Sequence, residues 1–367
     1  MSVTLGFETN TEQGAGVFLN RLRTVLEKRG VFDPDHPKVW IQLPFQRLPE
    51  HIERQHREGS TQVLLRLSGC FCNRYSPLGI QLPVIDAMYS QKMNTQKNNP
   101  LKEQIRRSDG VIHQTGFSQK LIQRFVSTPR WKTIIPNGIP LDEYATQGPI
   151  EEALMGSFDI LVCHTHFQPF HRLHDAMKIL AALKKKFGSS GMGTGVKLHI
   201  VGLDDGKSLP YALSVAKQHH LQEHQDFVLW GNPDAEKLAR LYRSCDLLLN
   251  LSYWESAPNT VIEAMAFGLP VVGVQSGGVA EWVEDGGIVV KEAIPFTVWD
   301  HHNVKHVPQA PIQAYVKAIM DLMTELDTYK SNARHRVETV FNIETVADQY
   351  IQAAKNRMPI GPKELVH

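Results

Sequence analysis

Apolar residues along the chain fall into short runs that alternate with amphipathic stretches. The runs Val39–Leu43 and Val63–Leu67 are short and lie among turn-forming residues, which predicts buried strands. Val17–Lys28 instead places its apolar residues at helical spacing with charges between them, which predicts a helix. Strands that alternate with helices form parallel sheets covered by helices on both faces. The pattern therefore predicts an α/β chain.

This alternation continues along the chain and loosens once. Further strands are predicted at Val3–Phe7, Val111–Gln114, Thr133–Ile135, Ile160–Val162, Lys197–Val201, Phe227–Leu229, Leu247–Leu251 and Pro270–Val274. Further helices are predicted at His174–Phe187, Tyr211–His219, Asp234–Ser244 and Asn259–Phe267. Between the two halves, Thr146–Gly156 gathers Gln, Gly, Pro and Glu, which is typical of a linker. We predict two Rossmann-like domains, residues 1–150 and 151–342.

The composition is that of a globular protein. The chain has 367 residues, of which 42% are hydrophobic and 21% are charged, and this length suits two domains of about 150 residues each. No apolar run approaches the ~18 residues that a membrane-spanning helix needs. The first residues lack the basic and apolar regions of a secretory signal. We expect a cytoplasmic protein that could also lie at the cytoplasmic face of a membrane.

The charge is balanced overall but uneven along the chain. The formal net charge of +1 excludes a strongly basic nucleic-acid coat protein, and we expect no nucleic-acid partner. Residues 1–150 carry 19 Lys and Arg against 13 Asp and Glu, whereas the remainder carries 20 against 25. A basic first domain suits an anionic acceptor or peripheral contact with an anionic membrane. Ordinary scatter between two domains is the open alternative.

The strongest candidate chemistry follows the predicted strand Leu247–Leu251. Ligands of parallel sheets bind beyond the carboxyl ends of the strands, and here the chain places Glu255 and Glu263 around Pro258, where a helix would begin. Backbone N–H groups at a helix start attract phosphate, while carboxylates accept hydrogen bonds from hydroxyl groups. The set suits a diphosphate with a sugar on one side and a ribose on the other. Two solvated carboxylates that stabilise the helix dipole are the alternative.

This segment resembles the Glu-x7-Glu signature of the retaining GT-B glycosyltransferases, family 4 in particular. Other stretches are similar to that family in the same order: Gly14–Gly16, Ile134–Ile139, Val228–Gly231, Ser276–Glu281 and Asp285–Val290. The resemblance implies two Rossmann-like domains whose parallel sheets face each other across a central cleft. It also implies that the second domain binds a nucleotide-diphosphate sugar and that a C-terminal helix, about 343–367, returns to the first domain.

The resemblance further implies an activity and roles for single residues. The activity is metal-independent transfer of a sugar, with retention, to an acceptor hydroxyl on a glycan or lipid-linked glycan, without a cofactor. Glu255 would contact the hydroxyls of the donor sugar. The implied donor-binding positions are Gly16, Trp230, Gly231, Asn259, Thr260 and Glu263.

The chain departs from this family at the positions that neutralise the diphosphate. The family carries an Arg and a Lys there, and the matching residues are His166 and His171, with Arg172 as a neighbouring cation. We count these three with Glu255 as the catalytic candidates. An imidazole is a weaker counter-charge at neutral pH, so we expect donor binding to weaken as the pH rises. The alternative is a catalytically inactive GT-B protein that binds a nucleotide or glycan.

The same stretch allows a second interpretation as a metal site. It contains His164, His166, His171 and His174, and strand alternation would put His164 and His166 on one face. No Cys or carboxylate is grouped with them in the sequence, and the family needs no metal for catalysis. We therefore predict no metal site.

Three residues of the first domain are candidates for the cleft. Arg66 and Ser68 lie at the end of one predicted strand, and His113 lies in the next. Relatives carry an Asp or His near this point that touches the sugar. A structural role is the open alternative for each of the three.

Overall fold

The computed structural model describes residues 3–8, 15–68, 96, 98–151, 156–190, 195–204, 206–253, 255–293 and 307–356. Their contacts divide the chain into two units. The first unit runs to Pro140 and resumes at Val340, while the second begins at Leu141 and ends at Thr339. The division thus falls about ten residues before the predicted boundary. The reason is that Arg243 of the second unit donates hydrogen bonds to the carbonyls of residues 145 and 149.

The elements alternate as the hydrophobic pattern predicts. The strands are β1 Leu5–Gly6, β2 Val39–Gln42, β3 Gln62–Leu67, β4 Gly110–His113, β5 Lys132–Ile134, β6 Ser157–His166, β7 Gly195–Leu203, β8 Phe227–Gly231, β9 Leu247–Leu249, β10 Val271–Val274 and β11 Gly287–Val290. The helices are α1 Ala15–Lys28, α2 Glu50–Arg57, α3 98–107, α4 Gly116–Phe125, α5 Leu173–Ser190, α6 Ser208–Gln218, α7 Ala235–Ser244, α8 Asn259–Ala266, α9 Val279–Val283, α10 Ile312–Thr324, α11 Leu326–Arg336 and α12 Ile343–Lys355.

The first unit has one parallel sheet with helices on both faces. Its described strands lie in the order β1-β2-β3-β4-β5. One face packs against α1 and α12 through a cluster that includes Leu22, Ile41 and Val346. The other face contacts α2 through Ile52, and α3 and α4 through Ile105 and Ile122. The C-terminal helix therefore belongs to the core of the first unit, and residues 357–367 lie outside the described part.

The second unit has a parallel sheet in the order β11-β10-β9-β6-β7-β8. This is the doubly wound order, in which the chain starts at the centre, builds one half and then returns to build the other. The central strands are almost wholly buried: β6 buries residues 158–164, and β9 buries all of its residues. Such continuous burial is typical of strands covered on both faces. The predicted α/β class with two parallel sheets is confirmed.

Three helices begin directly after a residue whose side chain accepts a hydrogen bond from a backbone N–H of the first turn. The Thr115 side chain accepts from the Ser118 N–H at α4, Asp234 accepts from Lys237 at α7, and Asn342 accepts from Glu344 at α12. The sequence pattern did not single out β11, α3, α4, α9, α10 or α11 as elements. Among the described residues, no helix is both long and apolar enough to cross a membrane.

Gly287 provides a test of the sheet register at β11. It pairs with Val271 of β10, and a Cβ at position 287 would lie 1.9 Å from the Val271 carbonyl oxygen. We expect Gly287→Ala to lower the free energy of unfolding by about 3 kcal/mol, because the two strands would have to separate. Urea denaturation measures this change.

The matched control is Gly195→Ala at the start of β7. A Cβ there has no heavy atom within 4 Å, so its effect should stay within about 0.5 kcal/mol. Equal stability of the two variants would contradict the register described for β10 and β11.

Candidate functional site

The strand order of the second sheet determines where a ligand can lie. β6 and β9 are neighbours, but the chain continues from β6 to one side and from β9 to the other. At such a switch point the connecting segments leave in opposite directions and open a crevice beyond the carboxyl ends of the strands. The segments that border it are residues 164–172, at the end of β6 and after it, and residues 250–258, after β9.

The second of these segments leads directly into α8. Pro258 occupies the N-cap position with a φ of −76°, and the helix begins at Asn259, the first residue of the predicted helix. The Pro258 side chain offers no cap to the first N–H groups, which suits a helix start that receives an anion. The Thr260 hydroxyl lies in this first turn and is buried without a hydrogen-bond partner.

Glu255 has a buried carboxylate, and its backbone carbonyl is held in place by Gly277 and Gly278. The Gly278 N–H donates to its carbonyl at 2.9 Å, and Gly277, with a φ of +78°, approaches so closely that a Cβ would lie 2.2 Å from the same oxygen. Burial raises the pKa of the Glu255 carboxyl to about 7. Oε2 has no hydrogen-bond partner. The loop after β10 thus fixes Glu255 and leaves one carboxylate oxygen available to a ligand.

Glu263 lies in the second turn of α8 and is half-buried. The Tyr144 hydroxyl donates to its Oε1 at 3.5 Å. Glu255 therefore precedes the first turn of α8 and Glu263 follows it. The two residues therefore flank the first turn of one helix in the chain.

Several polar atoms at this edge of the sheet are buried and unpartnered. They are Glu255 Oε2 and the hydroxyl oxygens of Ser252, Thr260 and Ser276, four of the nine such side-chain atoms among the described residues. Each unsatisfied buried polar group costs about 1–3 kcal/mol. All four come from the loop after β9, the first turn of α8 and the loop after β10. Their concentration indicates a site that a polar ligand completes.

His164 and His171 form a stacked pair at the end of β6. Their ring centroids are 3.8 Å apart and the rings are 7° from parallel. Strand alternation predicted that His164 and His166 share a face, and this is wrong. The strand register shifts between Cys163 and His166, so His164 is buried while His166 is exposed.

The structure also brings a carboxylate to these histidines, which the sequence did not group with them. Ligand-type atoms of His164, His171 and Glu255 lie within 4.8 Å of one another. However, the Gln168 N–H donates to His171 Nδ1 at 3.0 Å, whereas a metal-bound histidine normally donates its second N–H to an acceptor. The nitrogen lone pairs of parallel rings also do not meet at one point. The geometry therefore favours hydrogen bonding over metal ligation.

Arg172 does not supply the cation that the sequence suggested. Its guanidinium is fully buried and donates to both oxygens of Glu292, at 3.0 and 2.7 Å, and to the Leu251 carbonyl at 2.7 Å. It also lies 5.3 Å from the ring centroid of Tyr253. Its backbone adopts the left-handed region at a φ of 54°. Arg172 thus connects the turn after β6 to the segment that carries Glu255, and Glu292 neutralises its charge.

The expected nucleobase positions lie at the end of β8. The Trp230 indole donates to His199 Nδ1 at 3.1 Å, and the Lys237 ammonium lies 4.7 Å from its ring centroid. His199 Nε2 in turn contacts Asp159 at 2.7 Å. Gly231 is exposed, with a φ of +63° that favours glycine. The buried His199–Asp159 pair therefore fixes the orientation of Trp230.

The first-unit candidates have different surroundings. Arg66 donates to the Tyr350 hydroxyl at 3.0 Å and lies 4.4 Å from the Phe18 ring centroid. It is buried in the core, which corrects the expectation that it lines a cleft. Ser68 is exposed directly after β3, and Gly16 is buried near the start of α1.

His113 is buried at the end of β4, and neither ring nitrogen has a hydrogen-bond partner. Burial, followed by the charge of Lys132, lowers its pKa to about 4. The ring is therefore neutral at physiological pH. Its unsatisfied nitrogens keep it a candidate for ligand contact.

Comparison with known protein families gives a match to most of the second unit. A family model described as glycosyl transferases group 1 matches residues 154–334. The match spans 181 of the 367 residues, and this stretch of the chain is similar to that family. It covers the switch point, Glu255, Glu263 and the stacked histidines, so the site described above lies within the matched stretch.

Curated relatives match the chain over part of their length. N-acetyl-alpha-D-glucosaminyl L-malate synthase of Bacillus anthracis is 30% identical over 141 residues, which cover 38% of this chain and 34% of that protein. D-inositol 3-phosphate glycosyltransferase of Segniliparus rotundus is 28% identical over 183 residues, or 48% of this chain and 39% of that protein. The chain thus spans between a third and two fifths of the length of these relatives.

Solved structures extend the similarity to both units. Sucrose-phosphate synthase from Thermosynechococcus elongatus aligns with 97% of this chain and 96% of its own, with a TM-score of 0.68 and 17% identity. Anabaena HepE in complex with UDP covers 97% of this chain and 100% of its own, with a TM-score of 0.63 and 14% identity. These similarities confirm the predicted GT-B fold.

Several residues of the second unit that shape the site could not be singled out from sequence. Glu292 lies 120 positions from Arg172, and no local pattern links the two. Ser252 lacks neighbours in the sequence that would mark it. Ser276 begins the family-like stretch Ser276–Glu281, but that stretch gives its hydroxyl no role. The place of both serines in loops at the carboxyl ends of strands is a signal that points to them.

The buried Arg172–Glu292 pair should contribute strongly to the stability of the second unit. We expect Glu292→Ala to lower the free energy of unfolding by about 4 kcal/mol, because it leaves a buried guanidinium without its counter-charge. Replacing both partners, as Arg172→Met with Glu292→Leu, should restore most of that loss. Urea denaturation measures both.

The control is Asp321→Ala, which removes an exposed ion pair between Lys317 and Asp321. Its effect should stay within about 0.5 kcal/mol. If Glu292→Ala lowers the free energy of unfolding no more than Asp321→Ala does, the Arg172 guanidinium must find water or another partner in place of Glu292.

The Glu255 carboxyl should make stability depend on pH. Because its folded pKa of about 7 lies above the ordinary 4.5, ionisation destabilises the folded state. That penalty is absent below pH 4.5, grows as the pH rises to 7 and then stays constant. We expect Glu255→Gln to be as stable as the unchanged protein at pH 4.5, and about 3 kcal/mol more stable at pH 8.

Urea denaturation at the two pH values tests this difference, with the exposed Glu223→Gln as the control that gains nothing at either pH. A constant difference between the Glu255→Gln variant and the unchanged protein would mean that the Glu255 carboxylate is hydrated in the folded state.

Proposed function

We propose that the chain transfers a glycosyl group, with retention, from a nucleotide-diphosphate sugar to an acceptor hydroxyl. The observation that carries this proposal is the set of four unpartnered polar atoms around the start of α8. A diphosphate with hydroxyl groups on either side satisfies such a set. The similarity of residues 154–334 to the group 1 glycosyltransferases supports the same conclusion.

The donor is held by the second unit in this proposal. Glu255 accepts hydrogen bonds from the sugar hydroxyls, and Glu263 accepts them from the ribose. The backbone N–H groups of Asn259 and Thr260 donate to the phosphate, which benefits from the positive end of the helix. Anabaena HepE has been solved in complex with UDP and with UDP-glucose, so uridine nucleotides are the first donors to test. The chemistry proposed here uses no metal and no cofactor.

Catalysis then depends on stabilising the leaving diphosphate. In a retaining transfer without a general base, the leaving phosphate can take the proton of the acceptor hydroxyl. Fixed hydrogen-bond donors aimed at the developing charge are the main means of lowering such a barrier. The start of α8, the Thr260 and Ser276 hydroxyls and the His171 ring are the donors that the second unit offers. His166, exposed at the end of β6, is a further candidate.

The acceptor is proposed to be a glycan, free or linked to a lipid. The first unit contains a cavity of about 800 Å³. Its charged lining is mixed and consists of Arg47, Glu50, Glu53, Arg57, Glu103 and Arg107. A mixed lining suits a polyhydroxyl compound that carries few charges. Peripheral contact with a membrane through this basic unit, and a cytoplasmic location, remain predictions.

A second function is favoured by the state of Arg172. Because Glu292 neutralises its guanidinium, the site has less positive charge than the sequence suggested for a diphosphate. A protein that binds a nucleotide or glycan without catalysing transfer would tolerate this. Both functions predict that a ligand binds, but only the proposed transferase consumes the sugar conjugate.

The test combines calorimetry with an assay of nucleotide release. UDP, GDP, ADP and their glucose, mannose and N-acetylglucosamine conjugates are titrated into the full chain, and each is then incubated with simple glycan acceptors. We expect one nucleotide family to bind, and its sugar conjugate to be consumed. Glu263→Ala should weaken nucleotide binding at least about 10-fold, because a charge-assisted hydrogen bond is lost.

Glu255→Gln should reduce turnover about 100-fold or more while nucleotide affinity stays within about 3-fold. The exposed Glu223→Gln is again the control and should change neither quantity. Binding without consumption of any conjugate would support the alternative. No binding of any nucleotide would overturn both functions.

A further inference from the structure

We propose that Asp159 and His199 are positioning residues for nucleotide binding, which hold the Trp230 indole as a fixed surface for the base. The inference rests on the proposed function for its ligand, the base of a nucleoside diphosphate. The contacts that hold the indole are made within the protein itself and need no ligand. The sequence pattern singles out neither Asp159 nor His199.

The backbone brings Trp230 to the carboxyl end of β8 by an irregular pairing with β7. Ile200 pairs with Leu229, and the next residue of β7 pairs with Gly231. Trp230 is therefore an extra residue between two regular pairs, and such an insertion re-aims a side chain and is frequent beside functional sites. β8 lies two strands from β6, or about 10 Å across the sheet. A nucleoside diphosphate is long enough to span this distance between its phosphates and its base.

A chain of hydrogen bonds across three strands fixes the indole. The Trp230 Nε1–H donates to His199 Nδ1 at 3.1 Å. Because an indole N–H can only donate, Nδ1 presents its lone pair, and Nε2 carries the ring proton toward Asp159 Oδ1, 2.7 Å away. The Ser157 hydroxyl lies 3.0 Å from each oxygen of the same carboxylate. His199 and Asp159 are 0% and 1% exposed, so water does not compete for these bonds.

Such a polar chain is costly at this place in the fold. The residues next to Asp159 and His199 in their strands, Ile160 and Leu198, belong to the apolar core on the opposite face of the sheet. Buried polar groups are tolerated only when they are fully bonded, and apolar residues of similar volume are often no less stable. Here the chain ends on a half-buried aromatic ring at the carboxyl edge of the sheet, where ligands bind. The arrangement therefore serves the position of that ring and not the stability of the core.

A second contact holds one face of the same ring. The Lys237 ammonium lies over it, 4.7 Å from the ring centroid, and also bonds Glu151 at 2.6 Å. The Trp230 indole is thus held both at its N–H and at one face, and the N–H is not available to a ligand. A base therefore meets the remaining surface of the ring, by stacking or van der Waals contact.

Nuclear magnetic resonance of the full chain tests these contacts without a nucleotide. In nitrogen-labelled protein, two nitrogens that share a hydrogen bond show a scalar coupling, and Trp230→Phe assigns the Trp230 signal by its loss. We expect a coupling between Trp230 Nε1 and His199 Nδ1 in the unchanged protein. A Trp230 indole without this coupling would overturn the positioning role, whether or not the variants below fold.

The matched variants His199→Asn and His199→Leu test the consequence for binding. Their side chains have similar size, but only the asparagine amide can place an acceptor near the position of Nδ1. UDP, GDP and ADP are titrated at pH 7.5 into the unchanged full chain and into both variants. We expect His199→Asn to keep the affinity for the nucleotide that binds within about 3-fold, and His199→Leu to lose at least about 10-fold, the equivalent of one hydrogen bond.

A double substitution tests whether His199 acts through Trp230. We expect Trp230→Ala to weaken binding at least about 10-fold, and the addition of His199→Leu to weaken it further by less than about 3-fold. Turnover of the saturating sugar conjugate should stay within about 3-fold in each variant, because none of them touches the reacting atoms. The control is Leu198→Val, next to His199 but in the core on the opposite face, and it should change the affinity by less than about 3-fold. Circular dichroism verifies that each variant folds.

The outcomes separate this role from the proposed function. Equal affinities of His199→Asn and His199→Leu, or additive losses in the double variant, would overturn the role and leave the proposed function intact. No nucleotide binding by the unchanged protein would overturn the proposed function and this role with it.

Discussion

The reversal of strand order between β6 and β9 is the constraint on which the site depends. It opens the edge of the second sheet at the point where the chain leaves in two directions. The buried Arg172 guanidinium then ties the two sides together, since it bonds the Leu251 carbonyl and Glu292 at once. His171 lies beside this arginine, and Glu255 lies a few residues beyond Leu251. Arg172 thus fixes the spacing between the turn after β6 and the segment that carries Glu255.

The site carries its polar groups at a cost in stability. Glu255 and three hydroxyl groups are buried without partners, and evolution toward stability alone would have removed them. Such unsatisfied groups are retained where a ligand completes their hydrogen bonds. The surrounding apolar core, formed by β6, β9, α5 and α10, supplies the stability that offsets this loss. The loops that carry the unpartnered polar groups and the apolar core that stabilises the fold are therefore different parts of the same unit.

The sequence was sufficient for the features that depend on local pattern. Apolar runs located the strands, and the spacing of Glu255 and Glu263 around Pro258 located the start of α8. The sequence was insufficient for the features that contacts between distant residues determine. The pairing of Arg172 with Glu292 joins residues 120 positions apart, and the register shift in β6 that separates His164 from His166 depends on pairing with β7. The boundary between the units, after Pro140, differs from the predicted one after residue 150 because of another long-range contact. Arg243 of the second unit donates hydrogen bonds to the carbonyls of residues 145 and 149.

We propose that the start of α8 is the phosphate site of this GT-B protein. The most direct measurement is a crystal structure of the full chain with UDP. We expect the diphosphate at the backbone N–H groups of Asn259 and Thr260, with the ribose hydroxyls on the Glu263 carboxylate. UDP bound at another edge of the second sheet, or with its ribose remote from Glu263, would contradict this proposal.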